Sequence, residues 1–416
     1  MYKINRLNMN QVNKNEKCFM LSYSIYLLFS LLSTTFYFSY YNGTIYRLIK
    51  LVYLMILFAG EIENIKTQKK DAICGALIFG ILYLYVAYYT GILSDAAIMF
   101  FFLYCGRNIP FEKIAKRTIL IATFVLIFVI GSSQIGIITN YIEESYTDTF
   151  ELRHREYLGF RYALFPAAIM FDITALVLYL RKVSVRWYDV AVLTVGNYWI
   201  FSKTNSRLSF YMAIIVIAGA VIIKYVPCIL EKAAIVQLGM IFSYIIATVA
   251  SFLMTILYNS DVSWMNTIDR ILVNRLEYGK RSLLLYGVHL FGNKNIEWVG
   301  NGLDEFGNIT KMEGQEYLWV DNFYISVSQK YGILLFLFVI VSLTIALFFA
   351  FKQKNYYLTF FLAVIAGRCI VDDLFLYLHY NTFWLAVSML LFERSNYENW
   401  KIWHAVEKIA GVKKNC

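Results

Sequence analysis

Charge and proline are scarce in this sequence, and each shortage excludes something. Only 16% of the 416 residues are Asp, Glu, Lys or Arg, where a soluble globular domain has about 25%. With 59% hydrophobic residues gathered into long uncharged runs, a water-soluble globule is excluded. The composition is that of a polytopic membrane protein. Three prolines and 22 glycines leave no room for a disordered linker or a repeat array. The P-loop, GxGxxG, HExxH and nucleophile-elbow patterns are all missing, which argues against an ATP-driven transporter and a nucleotide-sugar enzyme. The six cysteines show no CxxC or Cys/His spacing, so no metal site and no cofactor are expected. None falls in an external loop, so no disulfide is expected.

What is present is a ladder of apolar runs. Spans are read near 18–40, 46–61, 72–90, 92–106, 118–138, 160–180, 187–202, 208–226, 235–258, 332–351, 356–378 and 381–393. The fold class is therefore an all-α polytopic membrane protein of about 12 spans, one integral domain over 1–416. The spans at 92–106 and 381–393 fall short of the ~20 residues that a straight crossing needs. Lys3, Arg6, Lys14 and Lys17 precede the first run, which is too long for a signal h-region and places the N-terminus in the cytoplasm. From there every cytoplasmic segment is rich in Lys and Arg, the tail at 393–416 included. Much of the +10 net charge is explained this way, so nucleic acid is not an expected partner.

The remaining basic residues cluster in three external connections: the loop 139–160, the turn SKTNSR (202–207) and the large loop 259–331. Either they form a solvated rim or they converge on an anion site. In the large loop, Trp264, Ile268, Ile271 and Leu272 follow the spacing of an amphipathic helix lying on the membrane or the bundle. Arg275 continues that stripe toward the bundle, where it needs an anion or a carboxylate. Arg270 and Arg281 share another face. Beyond Tyr286, Gly287, Gly292, Gly300 and Gly302 predict irregular, close-packed backbone. Asp321 stands at the return into the membrane, either as a functional acid or as the cap of a helix beginning near Phe323. Arg207 opens the helix after TNSR, and a helix N-terminus there favours an anion. Arg161 enters its span beside Tyr162 with few local acids. His379, beside Asp372 and Asp373, is either a base or an interfacial histidine.

TNSR at the head of an outer helix, the NRL segment with Arg275, the Phe291–Gly292 pair and VDNFYISVSQKYGILLF (320–336) together resemble Wzy-type polysaccharide polymerases, of the O-antigen ligase/polymerase superfamily. The chain departs from that pattern in having few glycines near TNSR and no histidine in the acidic segment of the large loop. The resemblance implies a metal-independent glycosyltransferase of the bacterial cytoplasmic membrane, with both termini cytoplasmic. It would join undecaprenyl-pyrophosphate-linked oligosaccharides into a capsule or exopolysaccharide on the outer face, with a chain-length regulator and a flippase as partners. It further implies that arginines (Arg161, Arg207, Arg270, Arg275 and Arg281 are the candidates) bind the pyrophosphate, while Asp321 or His379 takes the acceptor proton. The alternatives are a ligase of the same superfamily and a flippase for the same lipid. A flippase asks for charge in mid-span and short loops, whereas mid-span charge is scarce here (Asp172 and Arg368 are examples).

Overall fold

A computed structural model describes residues 2–67, 69–146, 152–312 and 314–393 of the chain, and all statements below concern these. Most of them are helical. In chain order the helices are α1 (Tyr2–Leu32), α2 (Thr44–Thr67), α3 (Lys69–Thr90), α4 (Asp95–Gly106), α5 (Phe111–Gln134), α6 (Leu164–Arg181), α7 (Trp187–Thr204) and α8 (Arg207–Tyr225). After these come α9 (Cys228–Lys232), α10 (Ala234–Ile241), α11 (Ser243–Leu257), α12 (Ser263–Ile271), α13 (Arg275–Tyr286), α14 (Phe323–Lys352), α15 (Tyr356–Arg368) and α16 (Phe383–Phe392). Each apolar run read from the sequence contains helix. Five helices are long and apolar enough to cross a membrane, and α10 with α11, bent by 68°, makes a sixth candidate. Helices α4, α15 and α16 are apolar but shorter. The chain is a multi-pass helical membrane protein. The expected tail at 393–416 lies outside the described residues, save Glu393.

Inside the expected loop 139–160 stands a short antiparallel hairpin, β1 (Ile142–Tyr146) with β2 (Leu152–Glu156). Glu143 sits opposite Arg155, and the two pair at 3.1 Å. The loop's own acids thus neutralise Arg155, as opposite charges across a ladder do.

Three expectations about helix limits change. First, one amphipathic helix across 263–286 is instead two, because Val273 and Asn274 both take left-handed backbone (φ 59°) and end α12. Arg275 therefore opens α13, and the Trp264–Ile271 stripe does not set its direction. Trp264 and Ile271 are exposed.

Second, α14 begins at Phe323, as expected for the helix there, and runs on without a separate start into the span read from 332. Asn322 caps it, its side-chain oxygen accepting from the N–H groups of Tyr324 (3.0 Å) and Ile325 (3.2 Å). The cap is thus Asn322 and not Asp321. The helix breaks at Gly332 (φ 83°, ψ 166°), close to the expected start of the span. Such a break frees backbone groups, and membrane-depth backbone must find partners. The loop at 289–293 supplies them. Ile333 N–H donates to His289 O (3.0 Å), Leu334 N–H to Leu290 O (3.3 Å), and Asn293 N–H to Gln329 O (3.2 Å). Gly292 packs so closely that a Cβ there would stand 2.1 Å from Lys330 O. The kink and the glycine-dotted loop are one joint.

Third, the run at 356–378 is helical only to Arg368. Residues 369–382 are turns, with a 3-10 turn at Leu374–Leu376. An apolar helix carried through Asp372 and Asp373 would put two carboxylates on its surface at membrane depth, at high desolvation cost. Folded as a loop, both acids instead face a cavity.

Candidate active site

The cavity has a volume of about 660 Å³ and lies at the end of the bundle where α14 starts and α15 ends. Five separated stretches wall it: Ser33–Thr34 after α1, Asp95 at the start of α4, residues 161–165 ahead of and into α6, residues 298–321 of the large loop, and the 369–382 turns. The large loop closes over it as a folded lid. Val299 and Leu318 exchange backbone hydrogen bonds (2.9 and 3.0 Å), and Leu303 N–H donates to Arg161 O (3.2 Å). Asn42 donates to Glu305 (2.7 Å), tying the lid to the α1–α2 connection. Gly300 and Gly302 line the cavity. Aromatic rings supply much of the wall, among them Tyr162, Phe165, Trp298, Trp319 and Tyr380. Flat apolar faces edged by a few polar groups suit a ligand that is itself amphipathic ring by ring.

The floor holds three carboxylates in graded environments. Asp321 forms an ion pair with Arg275 at 3.0 Å, which answers the expectation that a buried Arg275 needs an anion or a carboxylate. Arg275 also donates to Leu272 O (2.8 Å), the residue that follows α12. Asp372 accepts two hydrogen bonds from Arg368 (3.1 and 2.9 Å), four residues earlier. Arg368 is 1% exposed, also donates to Ser209, and lies between the rings of Phe171 and Phe375 (4.1 and 4.3 Å). Arg368, read from the sequence as a mid-span charge, and Asp372, read as an acid beside His379, thus form one positioned pair. Asp373 forms no ion pair among the described residues. Burial and the neighbouring Asp321 and Asp372 carboxylates push its pKa well above the usual range. Burial also raises Asp321, against the pull of Arg275 and helped by Asp372. The three carboxylates face two guanidiniums, and Lys330 stands in the field of Asp373 as well. Asp373, which has no ion pair among the described residues, is the group that holds a proton most readily.

At the opposite side Asp95 pairs with the buried Lys50 (2.6 Å). His379 is 6% exposed, with Nδ1 3.4 Å from the Tyr26 hydroxyl. Burial lowers its pKa to about 4, so the ring is neutral near pH 7. Among the described residues no group of His, Cys, Asp and Glu is arranged to hold a metal ion.

The structure sorts the expected site residues. Asp321, His379 and Arg161 line the cavity, and Arg275 stands directly behind Asp321. Arg161 donates to Ser33 O (2.7 Å), and its Nε is buried with no protein partner. Arg207, Arg270 and Arg281 are not in the wall. Arg207 is exposed at the head of α8, Arg270 is exposed on α12, and Arg281 pairs with Glu316 on the outside of the lid. A second basic cluster forms where Arg153 and Arg155 donate to Asn205 O and Thr204 O (3.1 Å each) beside Arg207. Asp95, Asp372 and Asp373 also line the cavity, and sequence reasoning gave none of them a role of its own. For the last two the available signal was a doublet of acids at the end of an apolar run, with Arg368 one turn before it.

Compared with known proteins, the chain matches no family model, no curated protein and no solved structure.

Proposed function

We propose that the chain is a membrane glycosyltransferase that polymerises undecaprenyl-pyrophosphate-linked oligosaccharides on the outer face of the bacterial cytoplasmic membrane. With the about 12 crossings and cytoplasmic termini expected from the sequence, the cavity would open on that face and the 259–322 segment would be its external lid. The observation that carries the reading is the lining of the 660 Å³ cavity: aromatic faces, a carboxylate cluster and Arg161 together at the mouth of an apolar bundle. Aromatic rings stack on the C–H faces of sugars, and carboxylates accept from their hydroxyls.

In this reading the acceptor hydroxyl attacks the anomeric carbon of the donor. The new glycosidic bond forms as the bond to the lipid pyrophosphate breaks, and the anomeric centre inverts. Asp373, once ionised, takes the hydroxyl proton. Asp321 and Asp372, paired with Arg275 and Arg368, stand beside Asp373 and raise its proton affinity. His379, neutral and weakly basic, positions rather than accepts. Charge developing on the departing pyrophosphate meets the Arg161 guanidinium in the cavity wall, with the Arg153–Arg207 cluster farther out drawing the anion in.

The test is incubation of the purified protein with a single lipid-linked repeat and no other substrate. A ladder of products at repeat-unit spacing supports polymerisation. Transfer only when a different acceptor is supplied identifies a ligase, and no transfer to any acceptor overturns the glycosyltransferase reading.

A further inference from the structure

The first limb of the lid, α12 and α13, is built the wrong way round for water. In α12, Trp264 and Ile271 stand seven residues apart, two turns along one face, and are 53% and 67% exposed. Asp269 lies on nearly the opposite side and is 1% exposed. Its carboxylate accepts from the Leu276 N–H (2.7 Å), and its backbone oxygen accepts from the Asn274 N–H (2.9 Å), so the acid joins α12 to α13. An amphipathic helix at a water-facing surface turns its faces the other way.

Helix α13 repeats the pattern. Its inner side, Leu276, Gly279 and Ser282, is buried. A Cβ on Gly279 would stand 3.0 Å from Thr255 of α11 and 3.3 Å from Ile325 of α14, and Ser282 Oγ donates to Gln329 Oε1 (2.8 Å). Its outer side shows Leu284, 78% exposed, and Leu285, and the chain just beyond shows Leu290 and Phe291. These side chains continue surfaces that already face the bilayer. Helix α11, which leads into the limb, exposes Leu253, Ile256 and Leu257, and α14 exposes Leu334 and Leu337. Because Leu334 N–H donates to Leu290 O, the second apolar patch is fastened to α14 at the level of its kink.

We propose that the 263–291 limb is seated in the bilayer interface at the cavity end of the bundle, and that its partner is phospholipid. Trp264 and Ile271 form one pad, and Leu284, Leu285, Leu290 and Phe291 form the other. Tryptophan suits this depth because its ring is apolar and its N–H is polar. Arg270, exposed beside Ile271, reaches the headgroups while its methylenes stay with the acyl chains. The two pads adjoin two neighbouring spans, α11 and α14, whose Phe252 and Phe336 rings meet edge to face at 6.1 Å. A continuous lipid surface covers both at once, whereas a protein partner would have to displace lipid from both. The seat also bears on the cavity. The limb carries Arg275, so lipid contact along its outer side steadies the helix whose first residue pairs with Asp321. None of this depends on which reaction the cavity runs.

The test uses the full-length protein in nanodiscs of phosphatidylcholine and phosphatidylglycerol. The photoreactive residue p-benzoylphenylalanine replaces Trp264, Ile271, Leu284 or Phe291, one at a time. A fifth variant carries it at Met312, which is exposed on the half of the lid that covers the cavity. All five positions are exposed, so the fold tolerates the change. Mass spectrometry identifies what each residue joins on illumination. Phospholipid adducts are expected at the first four positions and not at Met312. A second measurement uses no apolar probe. Trp264→Gln combined with Ile271→Gln should speed proteinase K cleavage within 259–274 several-fold in the same nanodiscs. Adducts to a second copy of the chain or to another protein overturn the proposal. So do lipid adducts no more frequent than at Met312, or cleavage that the double substitution leaves unchanged. Lipid adducts at the four positions support the seat whether or not the protein makes a ladder.

Discussion

The Arg275 guanidinium lies 3.0 Å from the Asp321 carboxylate and so joins the first residue of α13 to the residue just before the cap of α14. Both side chains are largely buried, at 10% and 18% exposure. Removing one partner of such a pair strands the other. Arg275→Ala is therefore expected to destabilise the protein by about 3 kcal/mol, the low end for a broken buried pair because some solvent reaches it. The double variant with Asp321→Ala should recover part of that loss. Thermal unfolding of the four members of this cycle in detergent measures the coupling, and strictly additive losses would show that the pair does not fasten the lid.

Folding lowers the His379 imidazole from 6.5 to about 4. The native state thus resists a proton that the unfolded chain accepts. The stability this contributes is complete above about pH 6.5 and is lost as pH falls through that window to about 4. Its size is on the order of 3 kcal/mol. His379→Gln should flatten the stability profile across this range relative to wild type, which parallel unfolding curves at each pH would reveal.

The arginines should separate by position. Arg161→Ala, in the cavity wall, is expected to lower the rate of chain extension by about 10²-fold, the usual loss when one charge-stabilising donor is removed. Arg207→Ala, outside the wall, should raise KM with little change in kcat, because it acts on encounter. Arg270→Ala and Arg281→Ala should stay within a few-fold of wild type. Initial rates over a range of lipid-linked substrate distinguish these patterns.

Gly332 and Gly292 face one another across the joint between α14 and the lid. A Cβ on Gly332 would come 2.5 Å from the carbonyl carbon of Phe291, and its φ of 83° suits glycine alone. Gly332→Ala and Gly292→Ala are each expected to cost about 3 kcal/mol or more. Limited proteolysis should then cut the variants within 287–302 before wild type is touched.

The helices were legible because membrane spans announce themselves as long apolar runs, and each such run holds helix. Their ends were less so. Asn322, Gly332 and the Val273–Asn274 break are set by caps and by tertiary partners that spacing alone does not contain. The hairpin at 142–156 went unread because its strands are short and carry alternating charges in place of an apolar face. Within the site, the needs of Arg275 and Asp321 were each visible, a cation lacking an anion and an acid at a membrane threshold, but only the fold joins them. The acid-rich character of the cavity was hidden for the same reason. Asp95, Asp321, Asp372 and Asp373 come from three stretches far apart in the chain, and external charge counts drew attention to arginine instead.

The most direct test is extension of one purified lipid-linked repeat by wild type and by Asp373→Asn, side by side across pH. Because the Asp373 carboxyl is raised well above its usual range, wild-type extension should climb with pH as that proton leaves. The same shift favours the folded state most below the ordinary carboxyl range and fades as pH passes the raised value, so stability and activity should move oppositely. The Asp373→Asn protein should fold, bind the lipid and leave the single repeat unextended. A wild type that makes no ladder, or an Asp373→Asn variant that makes a normal one, contradicts the account.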